Sequence, residues 1–329
     1  MGKYKLINNV LGWIVFAIAS TVYLMTMEPT ASFWDCGEFI SSAYKLEVGH
    51  PPGAPFFMLT ANLFTQLASD PSTVAKMVNT MSALFSGLTI LFLFWSITHL
   101  ARKIMVKDGE EASLGQMITV MGSGLVGALA YTFSDTFWFS AVEGEVYAYS
   151  SLFTAVVFWL ILKWEAVADK PHADRWIVLI AYLMGLSIGV HLLNLLCIPA
   201  IVLVYYYKKF PNPTMKGTLV ALLASFAIVA LMMYGVVQGL VEVCGYFELL
   251  FVNVLGMPYN SGVFAYVIIV AGVLIWSIWE TMRDEIHPIR MKIAFILSVV
   301  LIGIPFIGSG YVLAVILTAA LSLYLFKSK

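Results

Sequence analysis

WIVLIAYLMGLSIGVHLLNLLCIPAIVLVYYY, residues 176–207, is the stretch of this 329-residue sequence that decides the fold. It is much longer than the ~20 residues that a helix needs to cross the ~30 Å hydrocarbon core of a bilayer. Gly189 and His191 interrupt it near its middle, which predicts two helices joined by a turn. A second long apolar run, residues 293–326, has a turn sequence at 305–310. Reading both runs as helical hairpins predicts about ten membrane segments.

The positions of the basic residues favour this topology. If the N-terminus is cytoplasmic, only Lys45 and Lys76 of the 18 lysines and arginines lie outside, in agreement with the positive-inside rule. A single crossing over 176–207 would instead move three lysines outside, namely Lys208, Lys209 and Lys216. The sequence therefore predicts an integral protein of the inner or plasma membrane whose N-terminus is cytoplasmic.

Composition supports the same class of protein. Hydrophobic residues make up 61% of the chain and charged residues only 11%, whereas a soluble domain carries roughly 25% charged residues. The formal net charge of -1 provides no basic surface for nucleic acid. We therefore expect an all-α polytopic membrane protein that forms a single integral membrane domain over residues 1–329.

Acidic residues concentrate on the predicted outer side, in loops or at helix ends. One interpretation is that basic residues are simply not selected on the outer side. The acidic residues would then have no role of their own, because they contribute little to topology. The other is an acidic surface that performs catalysis or binds a metal ion. The residues concerned are Glu28, Asp35, Glu38, Glu47, Asp70, Asp135, Glu143, Glu145, Glu242 and Glu248.

The largest non-apolar feature is the first outer loop, about residues 28–77. Residues 36–46 are expected to form a helix, and the proline-rich segment 50–53 must end it. An apolar helical pattern resumes over 54–67, and this second helix is expected to lie along the membrane interface. Loops of this length in a compact protein are usually functional or disordered, and this one is too apolar and aromatic for disorder.

Asp35 and Glu38 are the first candidates for chemistry. Their i, i+3 spacing places both on one face if the segment is helical. Two carboxylates close together raise the pKa of one of them or bind a cation, and a carboxylate base suits glycosyl or phosphoryl transfer. The alternative is that Asp35 only caps the helix that follows it.

Three further groups lie on the same predicted side. His50 sits in a rigid corner and is a candidate donor or base, although a structural corner with an incidental histidine fits equally well. Glu143 and Glu145 flank a glycine and could reach a metal or a sugar hydroxyl, but exposed loop acids are common. His191 and Asn194 border the bilayer, where polar residues are often functional; alternatively they satisfy backbone groups at the turn.

No Asp, Glu, Lys or Arg lies in the middle of any predicted membrane span. Ion-coupled transporters usually need such a group near the midplane of the bilayer. This pattern argues against transport and leaves catalysis at the outer surface as the better interpretation.

Together these motifs resemble a known family. FWDCGEF at 33–39, GHPPGAP at 49–55, EVY at 145–147, and the Gly185, Ser187, His191 and Asn194 pattern are similar to the bacterial protein O-mannosyltransferase-like family, relatives of transmembrane protein 260. The motifs run in order over residues 28–200, and beyond residue 210 only hydropathy is similar. Relatives in this family are much longer, so the chain is expected to be the N-terminal part of a longer enzyme.

The resemblance implies a GT-C type glycosyltransferase, which moves a sugar from a polyprenyl-phosphate carrier to an acceptor at the extracytoplasmic face. It implies Asp35 as the catalytic base, with Glu38 as the alternative. The substrate-binding residues would be His50, Glu143, Glu145, Tyr147, His191, Asn194 and Lys45. Three groups could stabilise the departing phosphate: the outer lysines and histidines, a divalent cation held by acids such as Asp35 and Glu145, or a group that lies elsewhere in a longer enzyme.

The expected reaction is transfer of mannose to Ser or Thr of exported proteins. Membrane lipid is also an expected partner of the chain. Two alternatives remain open at this point. The acceptor could be a lipid or a surface glycan, because nothing in the sequence identifies it. The chain could also be a non-catalytic membrane carrier or scaffold, which mid-bilayer charge or repeat symmetry would have favoured.

Overall fold

The computed structural model describes residues 2–51, 53–107, 109–283, 285, 287–306 and 311–327. Within these ranges the regular secondary structure is helical throughout and contains no strand, which confirms the all-α prediction. The helices in chain order are α1 (Gly2–Thr26), α2 (Cys36–Lys45), α3 (Pro55–Thr65), α4 (Val74–Met105), α5 (Leu114–Thr132), α6 (Asp135–Ala141), α7 (Val146–Glu165), α8 (Arg175–Ile188), α9 (Ile198–Lys209), α10 (Met215–Ala230), α11 (Val237–Leu249), α12 (Ser261–Met282), α13 (Pro288–Leu301) and α14 (Tyr311–Lys327).

Seven helical stretches in the described residues are long and apolar enough to cross a membrane. They are Gly2–Thr26, Pro71–Met105, Leu114–Thr132, Val146–Glu165, Leu192–Lys209, Met215–Val254 and Ser261–Met282. Three more apolar helices are shorter: Pro55–Thr65, Arg175–Ile188 and Val312–Lys327. The chain is therefore a membrane-type protein, and the count of about ten segments stays a prediction.

The chain divides into two compact units. The first comprises Met1–Ala168 and Leu179–Val204, and the second comprises Asp169–Val178 and Tyr205–Lys329. The extent of a single membrane domain over 1–329 stays a prediction. All the candidate site residues belong to the first unit.

Helix α4 is the centre of the first unit and packs against α1, α5 and α7. Its contact faces carry small residues that let neighbouring backbones approach closely. Such close packing drives the association of membrane helices, because lipid tails are as apolar as the side chains and provide no hydrophobic driving force. Gly87, for example, lies directly against Ser20 and Phe16 of α1. Two hydrophobic cores form around α4, one with α1, α5 and α6 and the other with α2, α3 and α7.

The two helices predicted after α1 are present as α2 and α3. Between them the backbone adopts left-handed conformations at Leu46 (φ 54°) and at Gly53 (φ 90°). Pro55 occupies the first turn of α3, where its missing N–H costs no hydrogen bond. Whether this segment forms an outer loop stays a prediction.

The 176–207 run is interrupted where the sequence predicts. Helix α8 ends at Ile188, and a 3-10 helix over Leu192–Cys197 precedes α9. The carbonyl oxygen of Gly189 accepts the backbone N–H groups of Phe56 (2.7 Å) and Phe57 (3.1 Å), so this turn is bonded to the start of α3. In the second long run a 3-10 turn forms at Ile304–Phe306, and residues 307–310 of the predicted turn lie outside the described residues.

One placement in the second unit differs from the prediction. A continuous helical stretch runs over Met215–Val254, with π-helical segments at Leu231–Val236 and Leu250–Val254. Glu242 and Glu248, expected in an outer loop or at a helix end, therefore lie within this stretch. The helix continues because no proline interrupts it and because both glutamates have partners. Glu242 accepts the Tyr246 hydroxyl, and Glu248 accepts backbone N–H groups at the start of α12, from Asn260, Gly262 and Val263.

Candidate active site

A cavity of about 550 Å³ in the first unit brings together two of the predicted motifs. It lies where α2, α6 and α7 begin. Its lining residues are Trp34, Asp35, Cys36, Asp135, Thr136, Phe139, Ser140, Glu143, Glu145 and Tyr147. Four of these are carboxylates, and among the described lining residues none is Lys or Arg. We call this cavity the acidic pocket.

Asp35 immediately precedes α2, in the N-cap position, but its side chain makes no capping hydrogen bond. The carboxylate is exposed and faces the acidic pocket. The preceding residue, Trp34, has a φ of 60°, a left-handed conformation that a bulky residue rarely adopts. Such strained backbone is often found at functional sites. The capping interpretation of Asp35 therefore has no supporting contact, and the carboxylate is available for chemistry.

Glu38 and His50 form a pair beside Asp35. The backbone N–H of His50 donates to Glu38 Oε1 at 2.6 Å, and His50 Nδ1 lies 3.1 Å from Glu38 Oε2. The backbone hydrogen bond from His50, followed by its side chain, lowers the pKa of Glu38 below its ordinary value. Asp35, Glu38 and His50 each offer one ligand atom, and these atoms all lie within 4.8 Å of one another. The structure therefore brings together two predicted groups, the Asp35 and Glu38 pair and the His50 corner.

Glu145 lies deeper in the pocket and is only 7% exposed. Its Oε2 atom is buried and has no hydrogen-bond partner. Burial, followed by the negative charges of Glu143 and Asp35, raises the pKa of Glu145 to about 7, while His50 acts in the opposite direction. The pocket therefore contains a carboxylate that takes up a proton near neutral pH.

Glu143 differs from Glu145 because its carboxylate has partners. Side-chain hydrogen bonds join it to Ser32 and Cys36, although burial still raises its pKa. Burial and then the nearby carboxylates raise the pKa of Cys36 to about 12, so its thiol stays protonated and can donate to Glu143. Glu143 thus links the segment before α2 to the wall of the pocket.

Gly144 explains how both glutamates reach the pocket. A Cβ atom on Gly144 would lie 2.9 Å from Asn79 Oδ1 and 3.1 Å from Ile40 and Val78, so only glycine fits there. Asn79 in turn donates to the carbonyl oxygens of Glu28 (2.7 Å) and Thr30 (3.0 Å), which fixes the chain leading to Asp35. Sequence reasoning missed Asn79; its only signal was a polar residue at the edge of an apolar run.

His191 reaches the pocket through Tyr147. The Tyr147 ring lines the pocket and packs against the His191 ring, with the centroids 5.4 Å apart. His191 Nδ1 accepts the backbone N–H of Leu193 at 3.1 Å, and burial lowers the pKa of His191. A neutral imidazole in this position can donate one hydrogen bond from Nε2.

Two predicted residues lie elsewhere. Asn194 is fully buried and donates from Nδ2 to Ser187 Oγ (2.9 Å), a contact that holds the turn after α8. Lys45, at the end of α2, is exposed, has Glu47 Oε1 3.9 Å away, and is not among the residues that line the pocket. The structure therefore brings six predicted residues into one neighbourhood, namely Asp35, Glu38, His50, Glu143, Glu145 and Tyr147, with His191 behind Tyr147.

Helices of membrane-spanning length identify a membrane-type protein, and its first unit contains a pocket lined by four carboxylates. Residues 35–214 match the family model described as the Protein O-mannosyl-transferase TMEM260 N-terminal domain. This match covers more than half of the chain, and the chain belongs to this family.

Two curated relatives are similar over the same part of the chain. Protein O-mannosyl-transferase TMEM260 of Mus musculus is 28% identical over 174 residues, which cover 53% of this chain and 22% of the mouse protein. Protein O-mannosyl-transferase tmem260 of Dictyostelium discoideum is 25% identical over 187 residues, which cover 55% of this chain and 21% of that protein. The chain therefore matches about a fifth of the length of each relative. No solved structure matches the chain.

Proposed function

We propose that the chain is the membrane part of a GT-C type glycosyltransferase that transfers mannose from a polyprenyl-phosphate carrier to Ser or Thr of exported proteins. The observation that carries the proposal is the uncapped carboxylate of Asp35 facing the acidic pocket. A base placed in this way can take the proton of an acceptor hydroxyl as the sugar is transferred. The names of the two relatives support mannose as the sugar and a protein as the acceptor.

A second cavity supports a lipid-linked donor. It has a volume of about 750 Å³ and is lined largely by apolar side chains of α4, α5 and α7 together with the 3-10 helix after His191. Ser150 and Ser151 line it and follow Tyr147 by about one helical turn, so the apolar cavity begins close to the acidic pocket. An amphipathic donor needs this combination of an apolar groove for its chain and a polar pocket for its sugar.

The proposed placement in the inner or plasma membrane has a cytoplasmic N-terminus, about ten membrane segments and the acidic pocket on the extracytoplasmic side. The distribution of the 18 lysines and arginines supports it. In this arrangement Asp35 is the base, His50, Glu143, Glu145 and Tyr147 bind substrate, and His191 orients Tyr147. Asn194 contributes by holding the turn that carries His191.

Substitution of Asp35 tests the proposal. In membranes containing the full chain, Asp35→Asn should lower transfer of radiolabelled mannose from a mannosyl-phosphoryl-polyprenol by roughly 100-fold or more, because the base is lost. Glu47→Gln, which removes another exposed carboxylate of the same segment, should leave transfer unchanged. The three proteins should unfold at the same temperature, which shows that the substitutions leave the fold intact. Transfer by Asp35→Asn at the rate of the unsubstituted protein would refute the assignment of Asp35 as the base.

A further inference from the structure

The acidic pocket has a charge imbalance that its own residues do not correct. Four carboxylates line it, and none of the described lining residues is Lys or Arg. Lys45 lies outside the pocket beside Glu47. A phosphate group entering this pocket would be repelled unless positive charge is added, because opposite charges are needed to stabilise a departing phosphate.

Asp35, Glu38 and His50 form a compact set of ligand atoms at the rim of this pocket. Their atoms lie within 4.8 Å of one another. Bonds to a cation such as Zn²⁺ are about 2.0–2.2 Å long, so these atoms would have to draw closer to hold an ion. Asp35 is exposed and can rotate toward the other two residues, whereas Glu38 and His50 hold each other through two contacts.

The contact between Glu38 and His50 is of a kind that orients metal-binding histidines. When Nδ1–H donates to Glu38 Oε2, the Nε2 lone pair of His50 is left for a cation. Histidines that ligate metals almost always donate their other ring N–H to a carboxylate, a carbonyl or water. Glu38 therefore serves both as a candidate ligand and as the group that fixes the imidazole.

Glu145 gives an independent indication. Its carboxylate is more than nine-tenths buried, lines the acidic pocket, and has one oxygen without any hydrogen-bond partner. Buried carboxylates are normally paired, hydrogen-bonded or bound to a metal. Glu143 and Asp35 both repel the negative charge of Glu145. A positive ion near Asp35 would supply the missing partner.

We propose that Asp35, Glu38 and His50 bind a divalent cation at the rim of the acidic pocket, with the buried carboxylate of Glu145 facing it. Asp35 would offer the cation one carboxylate oxygen, which leaves the other oxygen to act as the base. Two carboxylates and one imidazole suit Mn²⁺ or Zn²⁺. For its role this inference rests on the proposed function, because the cation would neutralise the phosphate of the donor as the sugar departs. The binding itself requires no donor and is measured separately.

Binding of Mn²⁺ alone tests the proposal. The full chain in nanodiscs is stripped with a chelator and titrated with Mn²⁺, and free Mn²⁺ is followed by electron paramagnetic resonance. One ion should bind per chain. Asp35→Asn and His50→Gln should each weaken binding by roughly 10-fold or more, because each replaces a strong ligand by a neutral amide, and even changes outside the ligand shell cost about 10-fold. Glu47→Gln, an exposed carboxylate nearby in the chain, should bind Mn²⁺ as the unsubstituted protein does.

Each outcome separates this inference from the proposed function. Thermal unfolding in chelator establishes that the variants fold, since Asp35 and His50 are exposed and their replacement removes little packing. Equal Mn²⁺ affinity in His50→Gln and in the unsubstituted protein, or no bound Mn²⁺ at all, overturns the inference even if mannose transfer occurs. Binding that depends on Asp35 and His50 upholds it even if no transfer is detected.

Discussion

At the scale of single residues, the site depends on how differently its carboxylates are held. Glu38 accepts a hydrogen bond from His50, and Glu143 is hydrogen-bonded to Ser32 and Cys36. The side chain of Asp35 makes no capping hydrogen bond. Glu145 is buried without a partner for one oxygen. Burial raises the pKa of Glu145, whereas the contacts with His50 lower the pKa of Glu38, so the site can hold a protonated and an ionised carboxyl group side by side near neutral pH.

Glu145 should make the stability of the apo protein depend on pH. Its pKa in the folded protein is about 7, above the ordinary 4.5, so the folded state binds the proton more tightly than the unfolded state. Stability is therefore greatest below the unfolded pKa and falls as the pH rises through about 7. The loss attributable to Glu145 is roughly 3–4 kcal/mol, because its pKa rises from 4.5 to about 7 and each unit corresponds to about 1.4 kcal/mol.

Thermal unfolding in chelator at pH ~5 and pH ~8 measures this effect. Glu145→Gln should lose less stability between the two conditions than the unsubstituted protein, because its amide does not ionise. The difference between the two proteins isolates Glu145 from the other titrating groups. Identical pH dependence in both would show that the burial of Glu145 has no energetic consequence.

Much of the site follows from short-range sequence patterns. Asp35 and Glu38 share a helix face because of their spacing, and the prolines around His50 enforce a corner. The state of Glu145 cannot be read in this way. It depends on Gly144 lying against Asn79, Ile40 and Val78, contacts between segments far apart in the chain. Lys45 is the opposite case. Its position in the sequence predicts a substrate-binding residue, but its side chain is not among those that line the pocket.

At the scale of secondary-structure elements, the segment between α6 and α7 sets the shape of the pocket. Gly144→Ala would place a methyl group against Asn79, whose amide is fixed by two hydrogen bonds and cannot move aside. We expect destabilisation of about 1–3 kcal/mol, typical of overpacking, together with reduced transfer.

A matched substitution separates crowding from any general effect of replacing glycine. A methyl group added at Gly122, within α5, would meet no atom within 4 Å, so Gly122→Ala should be neutral or slightly stabilising in a helix. Thermal unfolding of both variants provides the comparison. Equal stability of Gly144→Ala and the unsubstituted protein would mean that the pocket tolerates movement of this segment.

The breaks between elements were predictable where the chain marks them locally. Glycine and proline predict the ends of α2 and α8 because these residues break a helix within a few positions of where they occur in the sequence. The long helical stretch over Met215–Val254 was not predictable, because Glu242 and Glu248 look like loop residues in the sequence. The groups that satisfy Glu248 belong to the following helix and the residue before it, at Asn260, Gly262 and Val263. Local patterns contain no information about such partners.

At the scale of the whole molecule, the proposed catalysis depends on the side of the membrane that the acidic pocket faces. Composition and the long apolar runs identify a polytopic membrane protein, and the seven stretches of spanning length agree with that class. Orientation rests on the positions of the lysines and arginines. A donor carried on the outer leaflet can reach Asp35 only if the segment before α2 is extracytoplasmic.

Accessibility of residue 33 tests this directly. Phe33 is 85% exposed and lies two residues before Asp35, while the native cysteines Cys36 and Cys197 are buried. Intact cells producing Phe33→Cys are treated with a membrane-impermeant maleimide, and the unsubstituted protein corrects for reaction of Cys244. We expect labelling of Phe33→Cys from outside the cell. Labelling that appears only after the membrane is permeabilised would place the pocket on the cytosolic side and contradict the proposed function.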